Sequence, residues 1–229
     1  MFNTKYFLFF FAALLVIASA QDHRCSNTPG YQSWFQMTSF NAMFPSGSGS
    51  NVALSFFEEG NSTIDFHGQR ERSDYRIVMT EGVVEGSIWL FGKTSEMYVL
   101  QAGQCTKMPL NFPVPDGFPI GPNNYIGNTR LGQFFVEAYF LTDQSPSTAL
   151  NQTIYYDEKS CSVVSSFAVN ADPATPGNSI MNFFNFEDRF HESSFDLPAA
   201  CTQTRAVLHR RHQQIVLPNH IHMLFGARF

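Results

Sequence analysis

The chain has 229 residues, room for one large domain or two small ones, and a chain of this size can bury about 70% of its unfolded surface. Hydrophobic residues make up 44% of it and 25 Phe carry most of the aromatic content, which excludes disorder over most of the length. A formal net charge of -5 argues against a basic nucleic-acid binder, and a single apolar segment, at the N-terminus, excludes a polytopic membrane protein.

Residues 1–20 read as a secretory signal. Lys5 supplies a positive start, Tyr6 to Ile17 is an apolar run of 12, and Ala18-Ser19-Ala20 gives the small-residue cleavage pattern. The run is short for a spanning helix and no basic stop-transfer cluster follows, so no membrane span is expected after cleavage. The mature chain then starts at Gln21. Five Phe leave with the signal and 20 stay, so the Phe excess belongs to the folded protein.

From there the chain reads as short strands with a period of two. Ile64 and Phe66 point one way with Asp65 and His67 opposite; Tyr75, Ile77 and Met79 alternate with Asp74, Arg76 and Thr80. Phe134, Val136, Ala138 and Phe140 form one face of a strand. Val163, Ser165, Phe167 and Val169 form another, and so do Ile180, Asn182, Phe184 and Phe186. Turn formers separate the runs at Gly47 to Asn51, Glu81-Gly82, Gly92-Lys93 and Pro173 to Asn178. No 15-residue stretch after the signal carries a strong helical period. The expected fold is mainly β and antiparallel, with one or two short helices.

Some strands are apolar on both faces, notably Ile88-Trp89-Leu90-Phe91, Met97-Tyr98-Val99-Leu100, Phe134-Phe135 and Phe183-Phe184. An antiparallel sheet normally shows one face to water, so these imply a second layer, a subunit interface or an internal cavity. Candidate pocket residues are Trp89, Phe91, Tyr98, Leu100, Phe135 and Phe184, with ordinary core packing as the alternative for each. Between Cys105 and Tyr125 lie five Pro, too many for a central strand. That stretch reads as an ordered connection forming a flap over the sheet, anchored by Phe112 and Phe118, in preference to a domain linker. One β domain over 21–201 is expected.

Residues 202–229 change character. Arg205, Arg210, Arg211 and Arg228 stand there without any acid, and four of the seven His fall in the same tail. Without signal and tail, 9 basic face 19 acidic residues, so the body is distinctly acidic.

In an exported chain Cys25, Cys105, Cys161 and Cys201 read as two disulfides, with three connectivities open, because none stands at C-x-x-C spacing. The sequons at Asn61 and Asn151 are candidate glycosylation sites. There is no G-x-S-x-G elbow, H-E-x-x-H, Walker loop or G-x-G-x-x-G, and His67 and His191 stand in no triad context. Neighbouring acids such as Glu58-Glu59, Asp157-Glu158 and Glu187-Asp188 point to opposite faces where they lie on a strand. No catalytic residues and no enzyme activity are expected. Calcium at an acidic loop is the one cofactor left open, with no ligand residues specified.

The run Met97-Tyr98-Val99-Leu100-Gln101-Ala102-Gly103-Gln104-Cys105-Thr106-Lys107, the opening Cys25 followed by Pro29, Cys161 ahead of Val163-Val164, and Phe183-Phe184-Asn185-Phe186 leading to Phe195-Asp196-Leu197-Pro198 and Cys201 together resemble the ependymin family of secreted glycoproteins. The resemblance covers about Cys25 to Cys201 and does not account for the tail. It implies curved antiparallel sheets enclosing a hydrophobic pocket, similar to bacterial lipoprotein carriers. Following the family's pattern, Cys25 pairs with Cys161 and Cys105 with Cys201; the further cysteine pair common in vertebrate relatives is lacking as a pair. The resemblance further implies an extracellular or lysosomal glycoprotein, often a homodimer, that binds a lipid or other hydrophobic small molecule, with calcium-dependent cell-matrix adhesion as the alternative.

Overall fold

In the computed structural model, which describes residues 28–45, 51–141 and 150–202, the alternating runs become one sheet of eleven strands. These are β1 (Gly30–Pro45), β2 (Asn51–Asp65), β3 (Arg70–Met79), β4 (Gly82–Phe91), β5 (Glu96–Gln101), β6 (Gln104–Pro109), β7 (Tyr125–Leu131), β8 (Phe134–Leu141), β9 (Leu150–Asp157), β10 (Ser162–Asn170) and β11 (Asn178–Glu187). Their spatial order is β6-β5-β4-β3-β2-β1-β11-β10-β9-β8-β7, every neighbour antiparallel. Two meanders therefore meet where the first strand pairs with the last.

The sheet is strongly curved. Met97 on β5 and Tyr139 on β8 belong to one buried core, though eight strand positions apart. At about 4.8 Å per strand a flat sheet would hold them roughly 38 Å apart. The concave face follows from the register: Tyr31, Ile64, Glu71 and Leu90 form one cross-strand row, then Ser33, Ser62, Ser73 and Ile88, then Phe35, Gly60, Tyr75 and Gly86. Gly60 is needed where it stands, because a Cβ there would lie 2.1 Å from the Asp74 carbonyl oxygen and 2.8 Å from the Phe35 ring.

Of the proline-rich stretch between Cys105 and Tyr125, residues 110–124 are the flap the sequence suggests, while residues 105–109 pair as part of the edge strand β6, where Pro109 at the strand end is tolerated. The flap joins the two edge strands, β6 and β7, across the concave face. Leu110 and Val114 are buried there, and Phe112, Phe118 and Ile120 pack on the same core. We refer to residues 110–124 as the strap.

The convex face explains the strands that are apolar on both sides. Ile88, Leu90, Met97 and Val99 enter the concave core, while Trp89, Phe91, Tyr98 and Leu100 alternate onto the convex side. After β11 the chain crosses that side near β3 to β6 as a 3-10 turn, Glu192–Phe195, and a helical turn, Ala199–Thr202, which Cys201 ties to Cys105 on β6. Arg72 donates to the Ser194 carbonyl at 3.3 Å and lies 5.3 Å over the Trp89 ring, while Arg70 lies 4.4 Å over buried Phe195. A thin local second layer thus accounts for Trp89, which is only 3% exposed.

Two of the sheet's bulges redirect side chains that the alternation assigns to the other face. Asn185, at φ 52, absorbs one extra residue opposite β1, so Met181, Phe183 and Phe186 face inward while Ile180 and Phe184 face out. The expected single face of Ile180, Phe184 and Phe186 is corrected by that bulge, since a residue in the left-handed region re-aims everything beyond it. A second bulge between Val163 and Ser165 turns Ser166 and Ala168 inward and leaves Phe167 outside.

Candidate functional site

At one end of the concave face, side chains from separate elements converge beneath the strap. Tyr31 comes from β1, Ile64 from β2, Phe66 from the following turn, Phe186 from β11 beyond its bulge, and Tyr156 from β9. Phe118 sits among them, its ring centre 5.1 Å from Phe66, 5.4 Å from Tyr31, 5.4 Å from Tyr156 and 6.2 Å from Phe186. Tyr31 stacks on Phe186 at 4.9 Å. These mutual ring contacts make the strap's central residue the plug of an aromatic cluster.

Two polar groups lie within this apolar region without full satisfaction. Glu71, directly across from Ile64, is completely buried; Ser62 Oγ donates to its Oε1 at 3.4 Å and its Oε2 has no hydrogen-bond partner. Burial pushes the Glu71 carboxyl up to about 8, so it is neutral at pH 7. The buried Tyr156 hydroxyl likewise has no partner, and burial raises its pKa. Burial and the neighbouring Glu71 raise that of Tyr31. Chemically, the arrangement can hold an apolar body and offer an O–H donor or an acceptor to a single polar end. It holds no nucleophile with a base beside it, and His67 and His191 are both exposed.

The candidate pocket residues read from the sequence lie elsewhere. Trp89, Phe91, Tyr98 and Leu100 are on the convex face, Phe91 and Tyr98 meeting edge-on at 5.9 Å. Phe184 is convex and 48% exposed; Phe135 is 51% exposed near the β7–β8 hairpin end. None of the six belongs to the cluster around Phe118. Of that cluster, Ile64 and Phe66 are visible in the sequence as alternation and Phe118 as an anchor. Tyr31, Tyr156 and Glu71 escape that reading; an acid inside a strand whose alternate residues are Ser73 and Tyr75 is the available signal for Glu71.

A second concavity of about 640 Å³ opens on the convex face. Its floor is the in-register row Trp34, Asn61, Asp74, Ser87 and Leu100, and beside it runs the row Glu59, Arg76 and Glu85. Arg76 bonds both acids at 3.2 Å, one on each neighbouring strand. Glu58, by contrast, is buried on the concave side, so the Glu58-Glu59 pair diverges as strand geometry requires.

The structure joins Cys105 to Cys201 with a Cα separation of 5.1 Å. Cys161 is disulfide-bonded as well, while its expected partner Cys25 lies outside the described residues, as do the signal segment and residues 203–229. Asn151 is half-buried on β9. Among the described residues no group of three or more His, Cys, Asp or Glu is placed to hold a metal ion, and no helix is long and apolar enough to cross a membrane.

Among solved structures, the chain is similar to an uncharacterized conserved protein from Thermus thermophilus (TM-score 0.48, 9% identity, covering 82% of this chain and 95% of that one). It is also similar to a DUF1329 family protein from Desulfovibrio piger (TM-score 0.33, 11% identity, 76% and 92% covered) and to MucB in complex with MucA (0.29, 12%, 80% and 61%). An uncharacterized protein of Dictyostelium discoideum is 30% identical over 182 residues, which are 79% of this chain and 57% of that protein, so the match spans little more than half of the relative. The family model for the ependymin domain of amoebozoa matches residues 23–222, taking in most of the stretch that the sequence sets apart as a tail. With that match over the greater part of its length, the chain belongs to the ependymin family.

Proposed function

We propose that the protein is a secreted, disulfide-bonded carrier that binds a lipid or other hydrophobic small molecule on its concave face, without catalysis. One observation carries this reading: the aromatic concave face is covered by a proline-rich strap that is not a strand of the sheet, with Phe118 plugging the cluster above Glu71 and Tyr156. Between its ends, where Leu110 N–H donates to the Ser95 carbonyl at 2.9 Å and the Asn124 carbonyl accepts from Phe140 N–H at 2.7 Å, the strap lies outside the sheet's ladder and can yield its place to an apolar guest at far lower cost than a paired sheet. Burying a chain of ~16 methylenes at about 0.8 kcal/mol each gives roughly 13 kcal/mol gross. Association and ordering remove half of that or more, and useful affinity is left. The signal-like N-terminus and the disulfides support export to an oxidising compartment, with the lysosome as the alternative destination.

Native mass spectrometry of protein secreted from eukaryotic cells, followed by organic extraction, tests this. Lipid at near-stoichiometric amount is the expected result. Protein that emerges empty and takes up no long-chain fatty acid or phospholipid from vesicles ends the carrier reading. An empty protein whose stability rises sharply with calcium turns the assignment to calcium-dependent adhesion.

A further inference from the structure

The convex cleft brings together three features that the carrier reading leaves unused. Trp34, 53% exposed, stands in the middle of a sheet face where an indole would ordinarily be covered. Directly across from it in the register is Asn61, the acceptor of the sequon Asn61-Ser62-Thr63. Asn61 lines the cleft, and its Oδ1 is buried without a partner. The surroundings suit a sugar: a flat apolar platform at one end, then Asp74 and Ser87 along the floor, with Arg76 in the row beside it. The cleft is open to solvent and has a volume of about 640 Å³.

We propose that this cleft is the seat of the protein's own N-linked glycan: Asn61 carries the sugar, and the first N-acetylglucosamine packs its apolar face on the Trp34 ring. Ser62 and Thr63, the rest of the sequon, are 1% and 4% exposed, so the sugar is attached before the sheet closes and the fold then forms around it. The proposal rests on export through the secretory route.

The two tryptophans make a direct test. Trp89 is 3% exposed, so acrylamide quenching of the native protein reports on Trp34. Protein from the culture medium is compared before and after enzymatic removal of its glycans, with the released sites marked by heavy oxygen and mapped by mass spectrometry. The expected result is a marked Asn61 and a quenching constant that rises about twofold when the sugar is removed, as a stacked ring becomes open to solvent. An Asn151→Gln variant, which leaves Asn61 as the remaining sequon, is expected to show the same rise. Secreted protein with a bare Asn61 overturns the proposal while leaving export intact. A marked Asn61 with unchanged quenching overturns the seat on Trp34. A chain retained in the cytosol without sugar overturns export and the proposal together.

Discussion

Replacing Glu71 by Gln removes a wholly buried ionisable group from the concave face while keeping its size. The carboxyl is wholly buried, and burial raises its pKa from 4.5 to about 8 in the fold. Below pH 4.5 the folded and unfolded chains both carry it protonated, and its contribution to stability is fully present. As the pH rises above 4.5 the unfolded chain releases a proton that the folded chain keeps, so stability falls by about 1.4 kcal/mol per pH unit until the folded group also ionises. The native protein therefore loses about 3 kcal/mol from this group by pH 7 and about 4 kcal/mol by pH 8, a loss from which the glutamine variant is free. Urea unfolding of both proteins at half-unit steps from pH 5 to pH 8.5 measures the difference. The offset between the two curves depends on how the amide is received beside Ser62, but their divergence does not. Curves that run parallel across this interval refute the placement of a neutral carboxyl in the core.

Phe118→Ala removes the ring that meets Tyr31, Phe66, Tyr156 and Phe186, and is expected to cost about 3 kcal/mol in urea unfolding and to speed proteolytic cleavage within residues 110–124. Replacing Cys105 and Cys201 together by Ser opens a 96-residue loop, with an expected loss of at most about 4–5 kcal/mol, measured against the native protein under non-reducing conditions. Gly60→Ala drives a methyl group against the Asp74 carbonyl and the Phe35 ring, so a loss of about 2 kcal/mol or more is expected; an unchanged unfolding midpoint would show that the strands separate there without strain.

How much of the site was legible depended on whether its signal was local. Period-two alternation at Tyr75, Ile77 and Met79 needs only neighbouring residues, and those positions do line the concave core or its edge. Proline density likewise excluded a central strand between Cys105 and Tyr125, and the structure has an edge strand to Pro109 and a crossing segment from there on. In β11 the same reasoning put Ile180, Phe184 and Phe186 on one face, because nothing in the letters announces that Asn185 adopts a positive φ. That conformation is held in part by Ser33 Oγ, which donates to the Phe184 carbonyl at 3.1 Å from 151 residues away.

By itself the sequence determined an antiparallel β chain with an apolar interior, a proline-rich crossing and paired cysteines, since each follows from side-chain spacing or covalent chemistry. The tertiary structure decided which of two equally greasy faces is the inside. Ile88 and Trp89 are both apolar and both buried, yet curvature sends one into the concave core and the other toward the layer that Cys201 fastens to Cys105. Curvature is a property of eleven strands acting together, and the covering segments arrive from far along the chain. No local pattern encodes it.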